Sequence, residues 1–465
     1  MNMTKQKSAA ELRSELAAQT GKARDIVAGL FDEGTFAELG AYRRRVSDEY
    51  GNGSDFESVI TGYGAIDGRL VFAFVQDFGN RKGAMSAAHA DKICELYDKA
   101  LNSGAPVIGV FDSAGAPVLE GAGVLDGYSR IMKKISDAKD MIPQIALVTG
   151  ICAGTAAVMA NMFDFVIADE ENGSLYMKPP FLCGGKGGDI AGAAKRGEVQ
   201  ITAANLGELL AKTRQFLNLI PSSADEGTVM ALSDDELNRR SFNIDAVTAN
   251  ANYDMSALVK EIADDGQFFE LNTAYAAEIR TGFAQINSVI TGIVATSPDV
   301  NDGLLTAAAA DKAARFVSFC SSFSIPLLTL VDSKGIETEE GTNPANYAAL
   351  ATAYATFCGN SVTAIVGKAY GAAFSLLGSK AMGTQMVIAL DRALISVMDP
   401  EAAVTFALDG KFKGENDPAE ARDALEAEWK ATQGSPLAAA MCGAIDDIVA
   451  SDELRMRIVS AFAIQ

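Results

Sequence analysis

Ala105–Gly115 reads APVIGVFDSAG, and at an offset of 220 Ile325–Gly335 reads IPLLTLVDSKG. Each has a proline, a short uncharged run that is apolar apart from Thr329 in the second copy, then Asp-Ser-x-Gly. An unbroken run of this length, bounded by turn residues, is the pattern of a strand buried on both faces of a parallel sheet. The surroundings repeat as well. SAAHADK (Ser86–Lys92) is answered by TAAAADK (Thr306–Lys312) at the same offset, and TGICAGTAA (Thr149–Ala157) by VGKAYGAAF (Val366–Phe374) at one of 217. FDEGTFAEL (Phe31–Leu39) is matched by ADDGQFFEL (Ala263–Leu271) at 232, and VITGYGA from Val59 by VITGIVA from Val289 at 230. Asp164–Pro180 and Gln385–Glu401 form a sixth pair. Six matches in one order indicate two copies of one domain. The polar segment near Leu232–Asp254 separates them, giving domains 1–231 and 232–465.

Within each copy, strands alternate with helices. After the quoted strand and a helix comes a second buried strand, IPQIALVTG in the first copy and VTAIVGKAY in the second. Such alternation implies an α/β fold with a parallel sheet and right-handed crossovers. Composition then removes whole classes of function. Sixty acidic residues against 39 basic ones give a formal charge of −21, which excludes a nucleic-acid binder with a clustered basic face. The single histidine, His89, rules out a multi-histidine metal site, and no metal is expected. Six scattered cysteines without a CxxC pair fit free thiols in a reducing compartment. The polar start MNMTKQKSAAELRSELAAQ is not a signal peptide, so the protein is expected in the cytoplasm, alone or at the periphery of a membrane complex. The uncharged stretch between Asp140 and Asp164 is broken by Pro143, Gly150 and Gly154, and reads as strand, turn and helix rather than a membrane span. The acidic segment Glu415–Glu428 reads as an exposed helix.

Two strand-to-helix junctions carry the chemistry. They are Cys152-Ala153-Gly154-Thr155-Ala156 and Ala369-Tyr370-Gly371-Ala372-Ala373. The first N–H groups of a helix are unpaired, and small residues let a substrate oxygen approach them. Such a turn can hold an oxyanion that develops during reaction. Small residues also serve close helix–strand packing. The recurrence at equivalent places in both copies favours one oxyanion site per half. Other motifs fail. Gly184-Gly185-Lys186-Gly187-Gly188 lacks the first glycine and the Ser or Thr of a phosphate loop. Gly62-Tyr63-Gly64 lacks the third glycine of a dinucleotide fingerprint, and there is no GxSxG elbow.

Together these residues resemble the carboxyltransferase family of biotin-dependent acyl-CoA carboxylases and sodium-pumping acyl-CoA decarboxylases. The resemblance runs from Leu30 to Ile458. It is carried by LFDEGTFAEL, VITGYGAIDGRLVFAFVQDF, MSAAHADKICELYDKALNSGAPVIGVFDSAGAPVLEG, IPQIALVTGICAGTAAV, DKAARFVSFCSSFSIPLLTLVD, KAYGAAF and VMDPEAAV. It implies two tandem crotonase-like (ClpP/crotonase) domains built from ββα superhelical units. It further implies that the N-terminal copy holds an acyl-CoA, while the C-terminal copy of another subunit holds biotin attached to a separate carrier. Carried over residue by residue, Gly154 and Thr155 fall at the first oxyanion hole, and Ala372 and Ala373 at the second. Ala114, Gly115 and Ala153 fall on the acyl-CoA side, and Gly335, Ile336, Tyr370 and Gly371 on the biotin side. Lys186, Lys195 and Arg196 either contact the CoA phosphates or lie on a solvated loop. The implied partners are a biotin carrier protein, a biotin carboxylase or membrane decarboxylase subunit, and further copies of this chain, from dimer to hexamer.

The implied chemistry suits a chain with one histidine. Negative charge develops on two oxygens, one of the substrate and one of the cofactor, and cofactor and substrate supply acid and base themselves. Several positions depart from the family pattern. Its Asp-Ser-Gly-Gly-Ala-Arg is Asp112-Ser113-Ala114-Gly115-Ala116-Pro117 here, and its Val-Pro-Gly-Phe is Ser333-Lys334-Gly335-Ile336. Its Ala-Gly-Gly is Ala153-Gly154-Thr155, and its Tyr-Gly-Gly-Ala is Tyr370-Gly371-Ala372-Ala373. These changes leave two further readings: a biotin-independent crotonase-fold enzyme, and a non-catalytic assembly subunit. His89 is expected to be a hydrogen-bonded structural residue. Asp112 and Asp332 are expected either to orient loops over the site or to cap helices.

Overall fold

The computed structural model describes residues 7–44, 56–185, 187–338, 342–413 and 417–464. The chain forms two compact units, Met1–Glu226 and Gly227–Gln465. Unit one contains β1 (Ala37–Leu39), β2 (Val59–Ile66), β3 (Arg69–Gln76), β4 (Val107–Phe111), β5 (Gln144–Val148), β6 (Ile151–Ala153), β7 (Phe165–Asp169), β8 (Ser174–Tyr176) and β9 (Ile201–Ala203). Its main sheet has the order β1-β2-β3-β4-β5-β7-β9, with β6 and β8 paired apart from it. Unit two contains β10 (Phe268–Leu271), β11 (Ile279–Ile286), β12 (Val289–Thr296), β13 (Leu327–Ser333), β14 (Ser361–Tyr370), β15 (Met386–Leu390), β16 (Leu394–Ser396) and β17 (Asp447–Val449). Its order, β10-β11-β12-β13-β14-β15-β17, repeats that of unit one. The first three strands of each sheet are antiparallel and the rest parallel. The two quoted stretches are β4 and β13, each buried along its whole length.

The repeat is real, but one of its six sequence matches is not. VITGYGA lies in β2 and VITGIVA in β12, which are different strands of the opening hairpin. The structural counterpart of β2 is β11, and that of β3 is β12; both pairs keep the offset seen between β4 and β13 at the centre of the sheet. The larger offset at the first motif shrinks because the link from β1 to β2 spans positions 40–58, whereas that from β10 to β11 spans only 272–278. The false match arises because both hairpin strands want β-branched residues with a gap for a neighbour. A Cβ on Gly62 would run into Phe36, and one on Gly292 into Cys320 and Phe316.

The FDEG and ADDG motifs have a structural task. Asp32 accepts hydrogen bonds from the N–H groups of Asp67 and Gly68, the turn between β2 and β3, at 3.2 and 3.0 Å. Asp264 does the same for Asn287 and Ser288, at 3.1 and 2.8 Å. A distant arginine pairs with each carboxylate, Arg214 with Asp32 and Arg455 with Asp264, both at 2.7 Å. The SAAHADK and TAAAADK motifs are also structural. Ser86 and Thr306 cap the helices Ala87–Ser103 and Ala307–Ser322. The buried Lys92 donates to the Val59 carbonyl, and the buried Lys312 to those of Asn272, Tyr275, Ala276 and Ile279.

Between β16 and β17 unit two carries the helices Pro400–Phe412, Pro418–Ala431 and Pro436–Met441. Pro418–Ala431 buries none of its residues, in line with the exposed helix expected for the acidic segment there. Among the described residues no helix is long and apolar enough to cross a membrane.

Candidate active site

In unit one β5 is followed by Thr149-Gly150, β6, Gly154 and the helix Thr155–Met162. In unit two β14 runs unbroken through both strand positions and ends at Gly371, ahead of the short helix Ala372–Leu376. The two glycines share one backbone conformation: φ 58°, ψ −124° at Gly154 and φ 53°, ψ −126° at Gly371. This region is open to glycine and strained for any other residue. Each glycine N–H is already committed. Gly154 donates to the Tyr176 carbonyl in β8 and Gly371 to the Ser396 carbonyl in β16, both at 2.9 Å. The donors these turns can offer are therefore the ones that follow. The N–H groups of Thr155 and Ala156, and of Ala372 and Ala373, open helices and have no carbonyl one turn earlier to accept them. Gly154 and Gly371 supply the bend that presents them. The second helix is barely more than one turn, so it contributes a local N–H pair rather than a macrodipole.

The loop after each central strand packs against the turn. The Ser113 N–H donates to the Ile151 carbonyl at 2.8 Å, and Ser333 pairs with Ala369. Both loops are built alike. The serine Oγ accepts from the glycine two residues on, Gly115 at 3.1 Å and Gly335 at 3.2 Å. The carbonyls of the same glycines accept from Met85 and Leu305, each at 3.0 Å. The Ala114 N–H is taken by the Lys82 carbonyl. Ile336 bridges to Leu305. In unit one the loop that carries Ala114 and Gly115 is thus tied through Ser113 to Ile151, the start of the strand that leads through Ala153 to Gly154 and Thr155. In unit two Ser333 pairs beside Ala369 and Gly335 lies against the Tyr370 carbonyl, one residue ahead of Gly371. Burial pushes the Tyr370 phenol above its ordinary range.

The basic candidates lie differently. Lys186 is outside the described residues. Lys195 ends the helix Ile190–Lys195 and is exposed. The Arg196 guanidinium is held two-pronged by Glu198, at 2.7 and 2.9 Å. A phosphate would have to compete with that carboxylate for it.

Behind each turn stands a buried carboxylate. Asp112 accepts from the Ile151 N–H at 3.2 Å and pairs with Lys22 at 2.8 Å. Asp332 accepts from the Lys368 N–H at 2.9 Å and from the Tyr253 hydroxyl at 3.1 Å. Neither caps a helix among the described residues; each is bonded to a strand N–H ahead of its turn. Burial raises the Asp332 carboxyl, partly offset by the Lys368 N–H and side chain. Both carboxylates fill space beside a glycine: a Cβ on Gly150 or Gly367 would collide with Asp112 or Asp332. Gly150→Ala is therefore expected to dislodge Asp112, with a lower melting midpoint and lost turnover together, whereas Gly410→Ala, inside the helix Pro400–Phe412 where a Cβ would meet nothing and φ is not positive, is expected to show neither. Lys22, Tyr253, Gly150 and Gly367 surround these carboxylates behind the candidate turns, and sequence reasoning misses them. The spacing of Lys22 and Tyr253 fits the repeat, but their chemical difference hides the equivalence.

His89 is fully buried, with the Ala84 backbone as a weak partner of its ring and no well-formed hydrogen bond to either nitrogen among the described residues, so it is less well satisfied than the sequence leads us to expect. Burial, with the Lys92 ammonium nearby, pushes it down to about 3, so it is neutral. Among the described residues no cluster of three His, Cys, Asp or Glu side chains could hold a metal ion.

The sequence matches the carboxyl transferase domain family over residues 19–465. It is 34% identical over 460 residues to the methylmalonyl-CoA decarboxylase alpha subunit of Propionigenium modestum, covering 95% of this chain and 89% of that one. It is 34% identical over 458 residues to the mitochondrial propionyl-CoA carboxylase beta chain of Rattus norvegicus, covering 94% and 83%. Among solved structures, transcarboxylase 12S with methylmalonyl-coenzyme A and methylmalonic acid bound superposes with a TM-score of 0.93 and 26% identity. That match covers 100% of this chain and 96% of the other.

Proposed function

The chain belongs to the carboxyl transferase domain family, and from that premise we propose that it moves a carboxyl group between biotin and a short-chain acyl-CoA. The biotin is carried on a separate protein. Unit one holds the thioester and unit two the ureido ring, the latter contributed by another copy of the chain in a homo-oligomer of two to six. The single observation that carries this reading is the pair of matched turns, one per unit, with the same glycine conformation and the same committed glycine N–H.

Biotin supplies the carboxyl group and, through its ureido nitrogen, the base for the α-proton of the thioester. The N–H groups of Thr155 and Ala156 hold the charge that develops on the thioester oxygen. Those of Ala372 and Ala373 hold the charge on the ureido oxygen. Backbone donors suit both oxygens: they cannot lose a proton to the enolate, and they are fixed before reaction, so no reorganisation is needed. His89, buried and neutral, is unsuited to proton transfer. The donors are main-chain atoms, so Thr155 and Ala372 can stand where the family has glycine without loss of the hydrogen bond. Lys186 and Lys195 offer charge to the CoA phosphates, and Arg196 could do so only by leaving Glu198. Other partners are a biotin carboxylase or a membrane decarboxylase subunit, and the cytoplasm is the expected compartment.

The test is transfer of labelled carboxyl between free biotin and malonyl-, methylmalonyl- or glutaconyl-CoA by the purified chain. Biotin-dependent exchange with at least one thioester is the expected result. Turnover without biotin would favour the biotin-independent reading, and none with any thioester would favour the assembly subunit.

A further inference from the structure

Asp112 and Asp332 are equivalent residues of the repeat, doing equivalent work on the two turns. Each is buried and accepts from a backbone N–H in the strand that leads into its turn. Each also has its own N–H bound by a side chain of the neighbouring strand. Asp112 donates to Gln76 at 3.1 Å, and Asp332 to Thr296 at 2.7 Å. Each is wedged against a glycine that has no room for a Cβ. What differs is the second partner: the Lys22 ammonium in unit one, the Tyr253 hydroxyl in unit two. Lys22 further anchors itself on the Thr149 carbonyl, at the root of the same turn.

We propose that Asp112 with Lys22, and Asp332 with Tyr253, are positioning residues that fix the two oxyanion turns, and that the change of partner has made the two clamps chemically unequal. The inference rests on the carboxyltransferase reading for its meaning in catalysis. The inequality follows from what each partner can do. An ammonium only donates, and so does a backbone N–H; a phenol hydroxyl both donates and accepts. Asp112 therefore sits between two groups that only donate, and nothing but a carboxylate satisfies both. Asp332 sits between one donor and one group that can reverse, and the Lys368 ammonium acts on it without a direct hydrogen bond. An asparagine there can accept from Lys368 with its oxygen and donate to Tyr253 with its amide nitrogen. At position 112 the same amide must turn its N–H groups toward Ile151 or toward Lys22. Lys22 is partly exposed, which moderates the loss.

The test compares three variants of the full chain: Asp112→Asn, Asp332→Asn and the double Lys22→Met/Asp112→Asn. Asp112→Asn is expected to lower kcat about three- to tenfold with KM for the thioester within about twofold, since an orientation is lost rather than a binding contact. Asp332→Asn is expected to lower kcat measurably but by less than Asp112→Asn, by no more than about threefold, with KM for the thioester within about twofold. The double variant, in which the amide oxygen is free to face Ile151, is expected to recover most of the loss. Amide hydrogen exchange supplies a readout that needs no activity. Peptides spanning 149–158 should exchange faster in Asp112→Asn, return in the double variant, and leave the rest of unit one unchanged. Equal effects of the two Asp→Asn changes, failure of the double variant to recover, or faster exchange spread through the whole unit would each overturn the proposal. If the unaltered protein transfers no carboxyl group, the functional reading fails instead, and the exchange pattern alone decides the clamp.

Discussion

Ala372→Pro is expected to slow carboxyl transfer about 100- to 1,000-fold while the protein stays folded, the loss typical of one oxyanion donor removed. The substitution suits the site. Ala372 is the first residue of its helix, and proline is accommodated there because that N–H has no intrahelical acceptor. Only the donor disappears. The effect should fall on kcat, with KM for the thioester little changed, because the proposed function assigns the thioester to the other unit. Thr155→Pro makes the same change at the first turn and should be comparably slow. Thr155→Ala, which keeps the N–H, should be nearly silent. Unchanged turnover in Ala372→Pro, with a normal melting curve, would show that this N–H is not a donor.

Arg455→Met is expected to cost about 3–5 kcal/mol of stability, the range for breaking one side of a buried ion pair. Arg455 is fully buried and Asp264 nearly so. The guanidinium reaches Asp264 at 2.7 Å, Asp235 at 3.4 Å and the carbonyls of Ile262 and Glu236 at 3.1 and 2.8 Å. Its removal leaves a buried carboxylate whose other task is to hold the turn between β11 and β12. Denaturant unfolding would read the loss as a lower midpoint. Arg455→Met/Asp264→Asn should lose less than the two single changes summed, because the charge left bare by either one is gone. The counterpart Arg214→Met is expected to do much less, since Arg214 and Asp32 are both partly exposed.

Much of this architecture is legible in the sequence, and for a physical reason. A buried parallel strand leaves an unbroken apolar run, and two copies of it at one spacing are hard to miss. The two glycine turns are legible for the same reason: a backbone bend of that shape admits glycine and little else. The false match between β2 and β12 shows the limit. Hairpin strands of like composition carry no register in their residues, and only the ladder fixes it. Lys22 and Tyr253 are hidden more thoroughly. Their equivalence is spatial, and a lysine and a tyrosine share no sequence signal. The committed N–H groups of Gly154 and Gly371 are hidden too, since their acceptors, Tyr176 and Ser396, lie far downstream in other strands.

That commitment has a consequence for how such a protein can change over generations. The glycine fixes the bend and its own N–H locks it to the next strand, so the residues presenting the donors are freed from any duty to be glycine. Under the proposed function, mutation can widen or narrow the space in front of positions 155, 372 and 373 while the backbone donors stay the same. Selectivity and reactivity then become separately heritable traits, and a lineage can explore new thioesters without first surrendering its chemistry.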